Sequence, residues 1–566
     1  MRRSGALLLT MLVAVAPVAA APDEPTAPAP MRGRVLVPRT ATWRWQITPA
    51  PALATQLGAH ALSGLDTIAG RAAAPIAVTG EGREPPRWPF DVEGELRAIP
   101  AAARDERIAA AYGVTTFTLS AADEGLAVLE LRMRYGDGVA AWLNGVEVVR
   151  RALPRGPTTL ADRPHGPEWE TFHVPIAPHL LALGANTLAI ELHPSGRRSA
   201  PTAEIELVGR RDRGILRGPV LADLGATTAE IRVATDAGTD AILEWGTGAT
   251  LDRTVVSRAS ATHVFALSAL PAKGTVRYRV RAGATVTPVY TFHTLPAAGD
   301  VIRVGIYGDV RGGHATHLEI VEAMMAEPLD LIGVTGDMVL RGADEADWQR
   351  FFAVTAPLLA QVLYLPAVGN HDLGWSGTSP GDQVFALPKG PADRPQHAYW
   401  YSRDIADLHL VFLDSNAYDR PEQLAWLDAD LAAARAANTR AIIVITHDGP
   451  YSRGYHRGNV DARARYVPIL AKHRADLILA GHDHLYQRGE VDGIRYIVSG
   501  GGGAPLYAPA CGVPGKARCK VDDGMAAIAR AHHYLVLTIT TTYLESCPRR
   551  PDGRLLERCT RWPLRR

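Results

Sequence analysis

The 566-residue chain has little cysteine, four residues in all, and none of them precedes residue 511. No two are spaced as CxxC, so a thiolate zinc site stands only as the alternative to two disulfides. An excess of charge of one sign is also missing: 60 Lys and Arg face 59 Asp and Glu, for a net charge of +1. That balance excludes the global basic field with which proteins hold nucleic acid or an anionic membrane. Beyond the N-terminus no apolar run approaches the ~20 residues a bilayer crossing needs, so no transmembrane segment is expected. What the chain does have is 47% hydrophobic and 21% charged residues, which excludes general disorder, and 53 Gly with 41 Pro, which suits many turns. Its length exceeds one core and predicts about three or four units.

The N-terminus runs from Met1-Arg2-Arg3 through apolar Ala6 to Ala16 and then Val18-Ala19-Ala20-Ala21. That is the order of a secretory signal, expected over 1–21, with a membrane anchor from the same short stretch as the alternative. A secreted or periplasmic protein follows. In an oxidising compartment the even cysteine count favours two disulfides, and local pairing, Cys511 with Cys519 and Cys547 with Cys559, is the simplest of three connectivities. Residues 22–40, opening Pro22-Asp23-Glu24-Pro25, read as a Pro/Ala linker.

From 41 to 212 the pattern is strand and turn: Leu129 to Tyr135, then Val139 to Leu143, an Asn144-Gly145 turn, Val146 to Val149, and the alternating run Asn186 to His193. This stretch resembles the galactose-binding-like β-sandwich modules of secreted hydrolases, which implies either a carbohydrate site or a structural spacer. Residues 213–296, with Ala229 to Ala234, Thr275 to Val280 and the Leu270-Pro271-Ala272-Lys273-Gly274 turn between them, resemble a fibronectin type III sandwich. From 297 to 566 apolar runs alternate with helical stretches, as in an α/β domain with buried strands.

Each of several of those runs ends in a distinctive polar group. Val301 to Tyr307 leads to Gly308-Asp309-Val310-Arg311, Leu329 to Val334 to Gly336-Asp337, and Val362 to Val368 to Gly369-Asn370-His371-Asp372. Ala441 to Ile445 leads to Thr446-His447, and Leu477 to Ala480 to Gly481-His482-Asp483-His484. Ligands of open α/β sheets bind beyond the carboxyl ends of strands, so five segments deliver oxygen and imidazole donors to one crevice. Such donors suit a pair of metal ions. Taken singly, an Asp after Gly is an ordinary helix cap and a strand-end His an ordinary surface residue. Six in order at successive strand ends outrun that reading.

These blocks resemble the calcineurin-like metallophosphoesterase superfamily, and the preceding sandwich with Gly481-His482-Asp483-His484-Leu485-Tyr486 points to its purple-acid-phosphatase-like branch. The resemblance implies two metal ions, Fe, Zn or Mn, bridged by Asp337. Asp309 and His484 would complete the first site, and Asn370, His447 and His482 the second. His371 would stand near the substrate phosphoryl and His456 near the leaving group. Two departures follow: Leu340 occupies the position of the purple acid phosphatase tyrosine ligand, and Arg311 that of a histidine ligand in other members. His314 is one candidate replacement donor. Arg311 carries only hydrogen-bond donors, so its role would be to hold a phosphate oxygen. The function implied is metal-dependent hydrolysis of a small phosphomonoester or phosphodiester. A strict phosphodiesterase and a non-catalytic surface-binding relic are the alternatives.

Overall fold

The computed structural model describes residues 33–48, 110–153, 161, 169–176, 180–194, 203–373, 385 and 399–565. The expected signal segment and most of the linker lie outside these residues. The linker reading is corrected at its end, because Arg34–Val37 is a strand paired antiparallel with Ala203–Arg210. The run Val35-Leu36-Val37 explains this, since Leu36 and Val37 are buried in the first core.

That core lies between two antiparallel sheets. One orders the strands Arg44–Thr48, Ala110–Leu119, Gly184–His193, Gly138–Leu143 and Val146–Arg151; the other orders Arg34–Val37, Ala203–Arg210, Val128–Tyr135 and Trp169–Pro175. Every second residue points inward, so Leu129, Leu131 and Met133 meet Val139, Ala141, Leu188 and Ile190. Asn144 and Gly145 both have positive φ, 47° and 84°, the backbone of a two-residue hairpin turn. The second module is a six-stranded sheet built on the long strand Ala229–Gly246. Its first half pairs with Ile215–Leu224 and its second with Thr275–Ala282, and its register against Arg253–Leu267 shifts between Ala234 and Ala241. Buried Arg210 joins the two modules through ion pairs with Glu130, at 2.5 Å, and Asp236, at 3.0 Å.

Two mixed sheets then pack face to face. In the first, Leu363–Pro366, Leu331–Val334 and Ile302–Tyr307 run parallel, followed by the antiparallel strands Tyr534–Ile539, Tyr543–Arg549 and Thr560–Pro563. The second orders Tyr401–Ile405, Leu408–Phe412, Ala441–Ile445, Leu477–Ala480, Ile494–Ser499, Tyr486–Val491 and Met525–Ala529, with Leu408–Phe412 to Ile494–Ser499 parallel. Val304, Ile306, Leu410, Phe412, Ile443 and Ile445 share the core between the sheets. The alternate residues Ile332 and Val334 pack outward with the helices His314–Met325 and Glu345–Leu359. On the opposite side Val411, Ile442 and Val444 pack with Pro421–Ala436 and Val460–Lys472. Period-two burial on both faces is what a strand covered on two sides requires. Pro421 opens its helix at the first position, where a missing N–H costs nothing. No described helix is long and apolar enough to cross a membrane. Both expected disulfides, Cys511–Cys519 and Cys547–Cys559, are present.

Candidate metal centre

The residues singled out from the sequence converge at the carboxyl ends of the parallel strands. Asp309 and Arg311 follow Ile302–Tyr307, Asp337 follows Leu331–Val334, Asn370 and His371 follow Leu363–Pro366, His447 follows Ala441–Ile445, and His482 and His484 follow Leu477–Ala480. The turns there are unusual. Asp309, Asp337 and His482 hold φ of 60°, 55° and 67°, left-handed values that L residues adopt only under constraint. Glycine makes the close approach possible: a Cβ at Gly369 would collide with the Asp337 carboxylate, and one at Gly481 with that of Asp309.

On one side, ligand atoms of Asp309, Asp337 and His484 lie within 4.8 Å of one another. On the other, His447 Nε2 lies 3.1 Å from Asn370 Oδ1, 3.1 Å from His482 Nδ1 and 3.3 Å from Asp337 Oδ1. Backbone carbonyls set the histidine tautomers. His447 Nδ1 donates to the Thr335 carbonyl at 2.8 Å and His484 Nδ1 to that of Pro505 at 2.8 Å, which turns each Nε2 toward the carboxylates. Atoms of Asn370, His482 and Asp337 thus converge on His447 Nε2, where a proton or a metal cation satisfies the acceptors. These residues fit a metal.

The electrostatics agree. Burial alone would lower His447, but the Asp337 carboxylate drives it up to about 10. Burial alone would raise Asp337, but His447 holds it well below the usual carboxylate range. Burial and the charge of Asp337 push Asp309 well above that range, against the opposing pull of His447. The site thus presses for positive charge from within. His482, lowered to about 3 by burial and by His447 and His456, and His484, lowered to about 4 by burial and Arg311, are neutral imidazoles at pH 7.

His371 donates from Nδ1 to the Leu340 carbonyl at 2.6 Å, and its backbone N–H donates to Asp337 Oδ1 at 2.9 Å. His456 lies with its ring 3.8 Å from that of His482, centre to centre, its backbone N–H donating to the Asp483 carboxylate at 3.0 Å. His314, the first residue of its helix, is not in the group formed by Asp309, Asp337 and His484. A further trio among the described residues, Glu545, Cys547 and Cys559, offers no thiolate because its sulfurs form a disulfide.

Two residues that shape the site escaped the sequence. Asp372 is fully buried and accepts backbone N–H groups from Asp337, Met338, Val339 and Gly369, holding the loop that presents Asp337. Tyr507 lies with its ring stacked on His484, 4.1 Å away and tilted by 15°. Its signal was the run Gly500-Gly501-Gly502-Gly503, directly after the strand Ile494–Ser499. Tyr307 and Tyr486 are engaged elsewhere, with Tyr364 and Glu557.

Comparison with known proteins agrees with this geometry. Residues 302–486 match the family described as calcineurin-like phosphoesterase. The chain is 24% identical over 236 residues to purple acid phosphatase 22 of Arabidopsis thaliana, covering 38% of this chain and 52% of that one. It is 32% identical over 175 residues to a purple acid phosphatase of Glycine max, covering 29% and 38%. The chain thus spans about half the length of the first of these relatives. The structure of purple acid phosphatase PPD1 from yellow lupin (Lupinus luteus) seeds shares the fold, with a TM-score of 0.53 at 15% identity, over 80% of this chain and 93% of that one. The chain therefore carries a calcineurin-like phosphoesterase domain with purple acid phosphatase homologues, preceded by a β-sandwich and a six-stranded β module.

Proposed function

We propose that the protein is an exported binuclear-metal phosphoesterase that hydrolyses small phosphomonoesters or phosphodiesters. The observation that carries this reading is the convergence of Asn370 Oδ1, His482 Nδ1 and Asp337 Oδ1 within 3.3 Å of His447 Nε2, beside the group formed by Asp309, Asp337 and His484. Asp337 would be shared between two ions, with Asp309 and His484 holding the first and Asn370, His447 and His482 the second. When bound, such a pair supplies Lewis acidity and a hydroxide near neutral pH. The chain's own groups do the rest. The Thr335 and Pro505 carbonyls keep the imidazoles aimed, and Asp372 keeps Asp337 in place. His371, its Nδ1 tied to Leu340, presents Nε2 for charge developing on the phosphoryl group. His456, exposed at the rim, would stand beside the departing alkoxide. Arg311 donates to a phosphate oxygen.

Export is supported by the N-terminal sequence order and by two disulfides, which persist in oxidising compartments. The test is metal analysis of purified protein together with turnover of p-nitrophenyl phosphate and its bis ester. Metal-dependent turnover of either supports the reading. Metal-free protein, or metal-loaded protein inert toward both, rejects it.

A further inference from the structure

The side of the centre that lacks a third protein donor of its own is lined by Arg311 and Tyr507. Arg311 sits two residues beyond Asp309 at φ 49°, and its Nε is buried with no hydrogen-bond partner among the described residues. It is close enough to Asp309 and His484 to act on both electrostatically. The Tyr507 hydroxyl faces the Arg311 guanidinium while its ring lies flat on His484. Tyr507 is fixed by its backbone N–H, which donates to the His484 carbonyl at 2.9 Å. The segment leading to it is fastened to the Asp309 loop by Gly502 N–H to Gly308 O at 2.8 Å and Ala504 N–H to Asp309 O at 2.9 Å. Tetraglycine is what lets it pass so near, since a Cβ at Gly502 would strike the Gly308 carbonyl and one at Gly503 would stand 2.6 Å from that of Gly313.

A guanidinium cannot ligate a metal, whereas a phenol beside it can accept one of its hydrogen bonds. We propose that Arg311 and Tyr507 form an anion clamp in which Tyr507 positions the guanidinium and Arg311 grips a terminal phosphate oxygen beside the first metal site. The inference rests on the phosphoesterase reading above and extends it to substrate choice. A phosphomonoester offers three terminal oxygens and a diester two, so a donor that serves the third favours the monoester. Arg suits this role because its planar fork meets a phosphate through two parallel charge-assisted hydrogen bonds.

The test uses full-length, metal-loaded protein with inorganic phosphate as the probe, titrated by calorimetry, alongside metal content and turnover of a mono- and a diester. Arg311→Ala should weaken phosphate binding roughly 10–100-fold, the usual range for losing hydrogen bonds to a charged group. Tyr507→Phe should weaken it by less, about threefold to tenfold, with KM for the monoester rising and metal content unchanged. Arg311→Lys should recover only part of the affinity. Diester kcat/KM should change far less than monoester kcat/KM in all three. Unchanged phosphate binding in Arg311→Ala, equal losses for both esters, or loss of metal from Tyr507→Phe overturns the clamp. So does a visible charge-transfer band that Tyr507→Phe abolishes, which would make Tyr507 a ligand. A wild-type protein inert toward both esters rejects the phosphoesterase reading, and the phosphate titration then decides the clamp alone.

Discussion

The two halves of the centre are built differently on the same scaffold. Around His447, the Asn370, His482 and Asp337 acceptors close to within 3.3 Å, and a carbonyl behind the ring fixes its direction. Around Asp309 the grouping has only Asp337 and His484, with an arginine and a stacked tyrosine where further ligands would stand. The first arrangement closes a set of ligand atoms around one point, and the second sets a guanidinium and a stacked phenol beside a smaller set. On the proposed reading, two loop positions, Arg311 and Leu340, exchange metal-binding capacity for substrate-binding capacity without moving a strand.

The largest expected effect removes what the halves share. Asp337→Ala should lower turnover by about 10³-fold or more, since the metals supply the nucleophile, while circular dichroism and cooperative unfolding stay native-like. Full activity in this variant would dismiss the bridge. The halves should then separate by affinity. Graded chelation should strip one ion at roughly tenfold lower chelator concentration than the other, and Asp309→Ala should lose that weaker ion while His482→Ala loses the tighter one. Simultaneous release of both ions would erase the asymmetry.

Colour sharpens the contrast further. Leu340 has no donor orbital for charge transfer to ferric iron, so active protein should lack a tyrosinate band whichever metals it holds, and the loss of an anionic ligand favours divalent ions. Leu340→Tyr, loaded with Fe(III), should acquire the band. A visible band in wild-type protein would contradict this account of the first half.

The same contrast marks what was legible in the sequence. Asp309, Asp337, Asn370, His447, His482 and His484 were readable because each follows an apolar strand with a glycine or a short turn, a local pattern with one structural meaning. Tyr507 was not, because it reaches the site along a loop without periodicity, through backbone contacts permitted by Gly500 to Gly503. Asp372 was in plain view but acts on backbone N–H groups 33–35 residues away, a partnership that sequence spacing does not encode. The alternation of the modules was readable strand by strand. The pairing of Tyr534–Ile539 with Ile302–Tyr307 was not, since a strand's pattern reports its faces and not its neighbour.

The disulfides offer a smaller, unequal perturbation. Each closes a short loop and should stabilise the chain by roughly 2–4 kcal/mol. Cys511–Cys519 also braces the His456 loop, where the Arg453 guanidinium donates to the Gly512 carbonyl at 2.8 Å and the Ala510 N–H to the Arg453 carbonyl at 2.6 Å. Removing it should therefore lower turnover as well as stability, whereas removing Cys547–Cys559, between strands at the far edge of its sheet, should lower stability alone. Equal kinetic effects would refute the distinction, and four free thiols on alkylation of mature protein would refute the pairing.

The smallest effect concerns the scaffold common to both halves. Burial lowers His317 to about 3 and His533 to about 4. Below a pH of about 6.5 the unfolded chain takes up protons that these folded imidazoles refuse. Stability is thus complete at and above neutral pH and falls between about 6.5 and 4, by roughly 1.4 kcal/mol per pH unit for each group. Urea midpoints measured from pH 7 to 5 should show this slope, and His533→Gln should reduce it. A flat profile would exclude the mechanism.

Metal stoichiometry tests the central claim most directly. Native-state mass spectrometry of purified, active protein should find two ions per chain, and the same measurement on Asp337→Ala should find fewer than one. Wild-type protein that stays fully active with no bound metal after exhaustive chelation would contradict the account.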